Sequence, residues 1–161
     1  MIFVTVGTQD KQFKRLFLEI ERLIEVGIIK DNVVAQVGST KYVPKLKDRI
    51  KVIEYTQPEE MNSLIEQADI IITHGGVATI IEAMNHKKKI IAVPRLRKYR
   101  EHVNDHQLQI IENFNDNGYL IGTNGVEDLE DALNKVDKFS PKQYKSNNEN
   151  FVDRLEKCII M

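Results

Sequence analysis

The chain has 161 residues, which is enough for one domain with its own hydrophobic core. Apolar residues make up 42% of it and charged residues 29%, and the formal net charge of −1 gives no support for nucleic acid as a partner. Cys158 is the only cysteine, so a disulfide framework is excluded and a reducing compartment is favoured.

No apolar run approaches the ~20 residues that a membrane-spanning helix needs. The apolar start, Met1–Val6, ends at Gly7 and has no basic leader, unlike a secretory signal. We therefore expect a cytoplasmic protein whose contact with a membrane, if it has one, is peripheral.

The first half of the chain alternates between short apolar runs and helical periodicity. The apolar residues from Phe13 to Ile24 are spaced as the stripe of an amphipathic helix. Pro58 suits the first turn of a second helix, which we predict to end at Gln67. The apolar runs predict strands at Ile2–Val6, Val33–Val37, Ile50–Tyr55 and Asp69–Thr73.

The second half continues this alternation. A helix is predicted directly after Gly75 and Gly76, and the next strand is followed by a charged loop, Pro94–Glu101. The other predicted elements are a strand at Ile90–Val93, a helix at His102–Phe114, a short strand at Tyr119–Ile121 and a helix at Val126–Val136. Ser140 and Pro141 are typical of a helix start, so a last helix is predicted at about residues 141–158.

The regular alternation predicts an α/β fold with a doubly wound, mostly parallel sheet of the Rossmann-like kind. The sequence has no internal repeat, low-complexity tract or linker, so we interpret residues 1–161 as a single domain. Ligands of such sheets bind beyond the carboxyl ends of the strands. This directs attention to Gly7 and Thr8, to His74-Gly75-Gly76, and to the segment from Pro94.

The most informative segment follows the predicted strand Asp69–Thr73. Gly75 and Gly76 allow a ligand to approach the backbone, and the helix after them presents unpaired N–H groups at its positive end, which suits a diphosphate. Glu82 lies six residues beyond Gly76, ~9 Å along the axis, where a carboxylate reaches the ribose of such a ligand. Thr79 shares a helix face with Glu82.

A tight turn followed by a surface glutamate explains the same residues without a ligand, and both interpretations stay open at this point. His74, taken alone, is more often structural than catalytic. The motifs G-x-G-x-x-G and G-x-x-x-x-G-K-[ST] are absent from this segment, which weighs against NAD oxidoreductases and P-loop NTPases.

An ordered set of short motifs along the chain resembles the C-terminal, donor-binding domain of GT-B glycosyltransferases of family 28. It is most similar to one-domain forms: subunits of bacterial exopolysaccharide synthesis of the PssE/EpsF type, and the small catalytic subunit of the eukaryotic UDP-GlcNAc transferase that extends the dolichol-linked oligosaccharide. The motifs are Phe3–Thr8, Gln36-Val37-Gly38, Ala68-Asp69, His74-Gly75-Gly76, Glu82-Ala83, Val93–Leu96 and Glu101–Gln107.

The resemblance implies roles for the matching positions. The two glycines would hold the diphosphate of a UDP-sugar, Glu82 would bind the ribose, and the segment from Asp105 would face the sugar or its phosphates. Lys14 and Arg100 depart from the pattern of many relatives, which leaves the identity of the sugar open. The expected donor-binding residues are Gly7, Thr8, His74, Gly75, Gly76, Thr79, Glu82, Arg95, Asp105, His106 and Gln107.

The same resemblance implies an inverting transfer of a hexose-type sugar to a lipid-linked acceptor, in capsular, exopolysaccharide or related glycan synthesis. A helix terminus and basic side chains would stabilise the departing UDP, and with no metal-ligand cluster in the sequence we expect neither a metal nor another cofactor. His74 is the candidate general base of this chain, and a base on a partner is the alternative.

A complete GT-B enzyme has two such domains, so the length of this chain leads us to expect a partner. In the family that partner is often membrane-anchored and binds the acceptor, which would place this chain at the inner face of the membrane. We expect activity only with the partner, and the last predicted helix, at about 141–158, is a candidate for docking on it.

Two other functions remain as alternatives. The first is a non-catalytic enhancer subunit that binds the partner, and the second is a UDP-sugar epimerase of related fold, which needs two such domains in one chain. The basic residues Lys87–Lys89 and Arg95–Arg100 are interpreted as a solvated surface, and the functional alternatives are diphosphate contacts from Arg95 and attraction to an anionic membrane. The last residues, Cys158–Met161, fit a prenylation pattern, although an apolar helix end is the simpler interpretation.

Overall fold

The computed structural model describes residues 1–144, and these form an α/β domain with six strands and five α-helices. The strands are β1 (Ile2–Thr5), β2 (Val33–Gln36), β3 (Ile50–Ile53), β4 (Ile70–Thr73), β5 (Lys89–Ala92) and β6 (Ile121–Gly122). The helices are α1 (Lys14–Glu25), α2 (Pro58–Gln67), α3 (Val77–Asn85), α4 (His106–Asp116) and α5 (Leu129–Val136), and two short 3₁₀ turns lie at Arg97–Tyr99 and Val126–Asp128.

All neighbouring strands are parallel, and their order across the sheet is β3-β2-β1-β4-β5-β6. The order reverses its direction between β1 and β4, which confirms the predicted doubly wound sheet. Thr5 pairs with Gln36 on one side and Thr73 on the other, and Thr73 pairs with Ala92. The last residues of four strands therefore lie level along one edge of the sheet.

Two hydrophobic layers cover the two faces of the sheet, because successive side chains of a strand point to opposite faces. Ile2 and Val4 of β1 pack in the layer formed with α1 and α5. Phe3 packs in the other layer, which includes Ile80 of α3 and Ile111 of α4. Burial on both faces explains why the strands are continuous apolar runs in the sequence.

Two predicted helix starts differ from the structure. The helix predicted from His102 begins at His106, because Asn104 Oδ1 accepts the N–H of His106 and Asp105 Oδ1 accepts the N–H of Arg97. The residues before His106 are thus held in a turn that closes the preceding loop. The helix predicted from Val126 starts as a 3₁₀ turn and becomes α-helical at Leu129.

The last predicted helix does not begin at Pro141, because residues 141–144 are not helical. The rest of that prediction, residues 145–158, and the pattern at Cys158–Met161 lie outside the described residues. Within residues 1–144, no helix is both long and apolar enough to cross a membrane.

Helix α1 offers a matched test of this packing, because it carries one leucine on each face. Leu16 is fully buried in the core, whereas Leu18 is 46% exposed. We expect Leu16→Ala to lower the free energy of unfolding by about 2–5 kcal/mol, since it leaves a cavity. Leu18→Ala should change it by about 0.5 kcal/mol or less. Urea denaturation measures both, and equal losses would contradict the position of α1.

Candidate functional site

The carboxyl ends of β1 and β4 lie side by side where the strand order reverses, and doubly wound sheets bind their ligands in the crevice at this point, called the crevice below. The backbone N–H of His74, directly after β4, donates to the carbonyl oxygen of Thr5 at 3.3 Å. The N–H of Val93 donates in turn to Thr73 at 2.8 Å. Parallel pairing therefore continues one residue past the strands. It brings Gly7 and His74 next to each other at the carboxyl ends of β1 and β4.

The imidazole of His74 fills the space between two glycines. A Cβ at Gly7 would lie 2.8 Å from Cε1 of His74, and a Cβ at Gly76 would lie 2.7 Å from the same atom. Gly7 also has a φ of +70°, which side-chain-bearing residues rarely adopt. Both glycines are thus required by the packing of the imidazole, a reason that the sequence did not reveal.

The environment of His74 keeps its imidazole neutral. Its pKa is lowered to about 4: burial is the largest cause, the positive charge of Arg95 adds to it, the backbone hydrogen bond to Thr5 opposes it, and His102 adds a smaller lowering effect. A group with this pKa is a weak proton acceptor at neutral pH. This low pKa is unfavourable for the predicted role of His74 as general base, and that role stays a prediction.

The turn from β4 into α3 leaves the start of that helix open. Gly75 has a φ of +92°, and a Cβ there would lie 2.7 Å from Cδ1 of Ile111 and 4.0 Å from Cβ of Gln107. Gly76 is the N-cap residue, and no side chain caps the N–H groups of the first turn. These N–H groups are the kind of donor that binds an anion. The contact with α4 also brings Gln107 to the glycine turn.

The other predicted residues of α3 point away from the core. Thr79 is half-buried, and the side chain of Glu82 is 40% exposed. Its Oε1 lies 3.4 Å from Nε2 of His86, one turn further along the helix. Glu82 is therefore accessible to a ligand, two turns from the open start of α3.

Arg95 and Gln107 form part of the wall of the crevice. The Arg95 side chain is fully buried, and its guanidinium donates to the carbonyl oxygens of Val6 at 2.9 Å and Lys11 at 2.8 Å. Gln107 is also buried, and its Oε1 accepts the backbone N–H of Arg95 at 3.1 Å. Both side chains are thus engaged with main-chain groups of the protein, and the ligand contacts predicted for them from the sequence stay predictions.

Asp105 and His106 are exposed at the start of α4, and Thr8 is exposed in the connection from β1 to α1. Asp105 accepts the N–H of Arg97 through one carboxylate oxygen at 2.9 Å. Nδ1 of His106 lies 3.3 Å from Oε1 of Gln109. The two segments that carry these exposed residues are in contact, because Nε2 of Gln9 lies 3.3 Å from Nε2 of His102.

A buried amide whose role was not predicted from the sequence fixes the backbone directly after β1. Oε1 of Gln36 accepts the N–H of Gly7 at 3.2 Å and the hydroxyl of Thr5 at 2.6 Å, while its Nε2 donates to the Gly7 carbonyl at 3.1 Å. Gln36 thus binds both main-chain groups of Gly7. A buried glutamine that ends an otherwise apolar strand was the available signal, because such a group needs partners.

Three side chains around the crevice carry a buried polar atom without a hydrogen-bond partner among the described residues: Thr73 Oγ1, His74 Nδ1 and Arg95 Nε. Such atoms are rare in folded proteins, and their concentration at one place is typical of a functional site. No group of three or more His, Cys, Asp or Glu side chains in residues 1–144 is arranged to hold a metal ion.

A family model described as the glycosyltransferase family 28 C-terminal domain matches residues 1–159. The chain belongs to this family. Its fold is also that of solved glycosyltransferases: the spinosyn forosaminyltransferase SpnP aligns with 99% of this chain and 43% of its own, at a TM-score of 0.63 and 19% identity. The six-stranded parallel sheet with flanking helices thus has the Rossmann-like fold of a GT-B glycosyltransferase domain.

Two curated relatives share the name UDP-N-acetylglucosamine transferase subunit ALG13. The protein from Candida glabrata is 27% identical over 116 residues, which is 70% of this chain and 56% of that protein. The protein from Candida albicans is 27% identical over 88 residues, 55% of this chain and 28% of that protein. The match thus spans about half or less of these relatives.

The buried, neutral His74 predicts a dependence of stability on pH. The imidazole has a pKa of 6.5 in the unfolded chain and of about 4 in the folded chain. The free energy of unfolding therefore has its full value above pH 6.5 and decreases as the pH falls towards 4, because the unfolded chain then binds a proton that the folded chain does not. Between pH 7 and pH 5 we expect His74 to lower the free energy of unfolding by about 2 kcal/mol.

Urea denaturation at the two pH values measures this loss. In His74→Gln, the free energy of unfolding should decrease between pH 7 and pH 5 by about 2 kcal/mol less than in the unsubstituted chain. The exposed His106 gives the control, because His106→Gln should keep the original dependence. Equal losses in all three chains would show that His74 does not titrate in this way.

Proposed function

We propose that this chain is the donor-binding subunit of a two-component, inverting glycosyltransferase that uses a UDP-sugar. The observation that carries the proposal is the open start of α3 at the β1–β4 crevice, with an accessible carboxylate, Glu82, two turns along the same helix. The N–H groups of the first turn would bind the diphosphate, and Glu82 would accept hydrogen bonds from the ribose.

The opposite side of the crevice fits the sugar end of the donor. Asp105 and His106 are exposed at the start of α4, which packs against the glycine turn through Ile111. A hexose attached to a diphosphate at α3 would extend towards these side chains and Thr8. The α3 terminus would stabilise the negative charge that develops on the leaving UDP, and this role requires no metal ion.

A second polypeptide completes the enzyme in this proposal. The two ALG13 relatives are named as subunits of a transferase, and the fold of this chain corresponds to 43% of the length of the GT-B enzyme SpnP. We propose that the partner is membrane-anchored, binds a lipid-linked acceptor and contributes the general base, because the neutral His74 suits that role poorly. The reaction would then belong to capsular, exopolysaccharide or related glycan synthesis at the inner face of the membrane.

Binding calorimetry with UDP, UDP-GlcNAc, UDP-glucose, UDP-galactose and UDP-glucuronate tests the donor assignment. We expect the full chain to bind UDP and at least one of these sugars. Glu82→Gln should weaken binding by roughly ten- to a hundred-fold, because it removes the charge from a hydrogen-bonded acceptor. Glu66→Gln is the matched control. Glu66 is exposed near the end of α2, shortly before β4 begins, so it lies at the amino ends of the strands and not at their carboxyl ends.

The same variants separate donor binding from a non-catalytic enhancer role. If the chain binds UDP and Glu82→Gln abolishes sugar transfer while the complex with the partner persists, donor binding is supported. If the chain binds no nucleotide and the variant leaves transfer unchanged, the enhancer alternative replaces this proposal.

A further inference from the structure

The segment from Arg95 to Gln107 is closed upon itself by side chains. The backbone N–H groups of three consecutive residues at its start each donate to a side chain from further along the segment. Arg95 donates to Gln107 at 3.1 Å, Leu96 to Glu101 at 3.1 Å and Arg97 to Asp105 at 2.9 Å. The segment that presents Asp105 and His106 therefore has a shape fixed by its own hydrogen bonds, although it contains only one short 3₁₀ turn.

Arg95 attaches this segment to the opposite side of the crevice. Its guanidinium donates to the carbonyl oxygens of Val6 and Lys11, on either side of the exposed residues Thr8–Asp10, and it lies 5.1 Å from the centroid of the Phe13 ring. Two different nitrogens, Nη1 and Nη2, make these bonds, so the planar guanidinium with several donors suits the two carbonyls better than an ammonium group. The β1–α1 connection and the Arg95–Gln107 segment are thus joined by a buried cation.

A second link joins the segment to α1. Arg15 forms a bidentate ion pair with Glu101, with Nε–Oε1 and Nη2–Oε2 distances of 2.8 and 2.9 Å. Glu101 is 3% exposed, and the Arg15 guanidinium also lies 3.7 Å from the centroid of the Tyr99 ring. Both oxygens of Glu101 are therefore bonded, one of them also to the N–H of Leu96.

The likeness of these buried charges to a fixed joint explains them better than a gain in the free energy of unfolding does, because they hold two segments in one relative position. Burying a charge costs free energy even when it is paired, and apolar side chains of similar volume commonly give equal or greater stability. A bidentate ion pair, or a guanidinium bound to two carbonyl groups, in contrast defines distances and angles between the segments that it joins. Here the joined segments are the two sides of the crevice that carry Thr8 on one side and Asp105 and His106 on the other.

We propose that Arg95 and the Arg15–Glu101 pair are positioning residues that set the distance between the two sides of the crevice and so determine how tightly the sugar part of the donor is held. This inference rests on the proposed function. It gives Arg95 a role in holding the β1–α1 connection instead of the diphosphate contact expected from the sequence. The diphosphate and ribose contacts at α3 do not depend on these residues.

The test compares the affinities for UDP and for the same four UDP-sugars in full-length variants. Arg15→Lys, Glu101→Gln and Arg95→Lys should each weaken binding of the preferred UDP-sugar by roughly tenfold, while the affinity for UDP changes by less than about twofold. A merely structural role would weaken both ligands together. Amide hydrogen exchange should also become faster in residues 96–105 and remain unchanged in α3.

Arg22→Lys is the matched control, because Arg22 lies on the same helix and forms ion pairs with Glu19 and Glu130 away from the crevice. It should leave both affinities unchanged. Equal loss of UDP and UDP-sugar binding in Arg95→Lys would instead identify Arg95 as a diphosphate ligand and overturn its positioning role. Unchanged binding of both ligands in all three variants would overturn the inference as a whole. Failure of the unmodified chain to bind UDP or any UDP-sugar would instead remove the proposed function.

Discussion

The imidazole of His74 lies where the two halves of the sheet meet, and the crevice depends on how it packs. It touches Gly7 after β1 and Gly76 before α3, with no room for a Cβ at either position. Because β1 and β4 are adjacent, this contact sets the separation between the β1–α1 connection and the start of α3. The open N–H groups of α3 therefore face the crevice and not a neighbouring side chain.

Around this contact, polar groups are buried in an otherwise apolar sheet edge. Gln36 binds both main-chain groups of Gly7, and Arg95 binds the carbonyl oxygens of Val6 and Lys11. Burial lowers the pKa of Arg95 to about 10, which leaves it charged at neutral pH. The cost of burying these groups is offset by hydrogen bonds to main-chain atoms that turn out of the sheet and have no partner within it. The main chain after β1 is consequently held by buried side chains, while the residues proposed to contact the donor are backbone N–H groups and exposed side chains.

Much of this arrangement was predictable because it depends on local patterns. The run Ile70-Ile71-Ile72 indicates a strand that is buried on both faces, and the glycines after His74 indicate a turn into a helix. The start of α4 was not predictable in the same way. His102–Asp105 has no strong helix breaker, and the helix begins at His106 only because Asp105 and Asn104 are engaged in closing the preceding loop. The role of Gln36 also escaped prediction, because its partners Thr5 and Gly7 lie about thirty residues away in the chain.

The sequence by itself determined the alternation of strands and helices, the exit at Gly75 and Gly76, and the place of Glu82 two turns along α3, since each follows from spacing within a few residues. Only the tertiary structure decided which charged and polar residues form the wall and which face the cleft. Arg95 reaches its acceptors across 84 and 89 residues of chain, and the pKa of His74 is set by burial beneath segments from both halves of the sheet. Burial and electrostatic environment are sums over neighbours in space, so the chain order of Arg95, His74 and Gln107 could not reveal their roles.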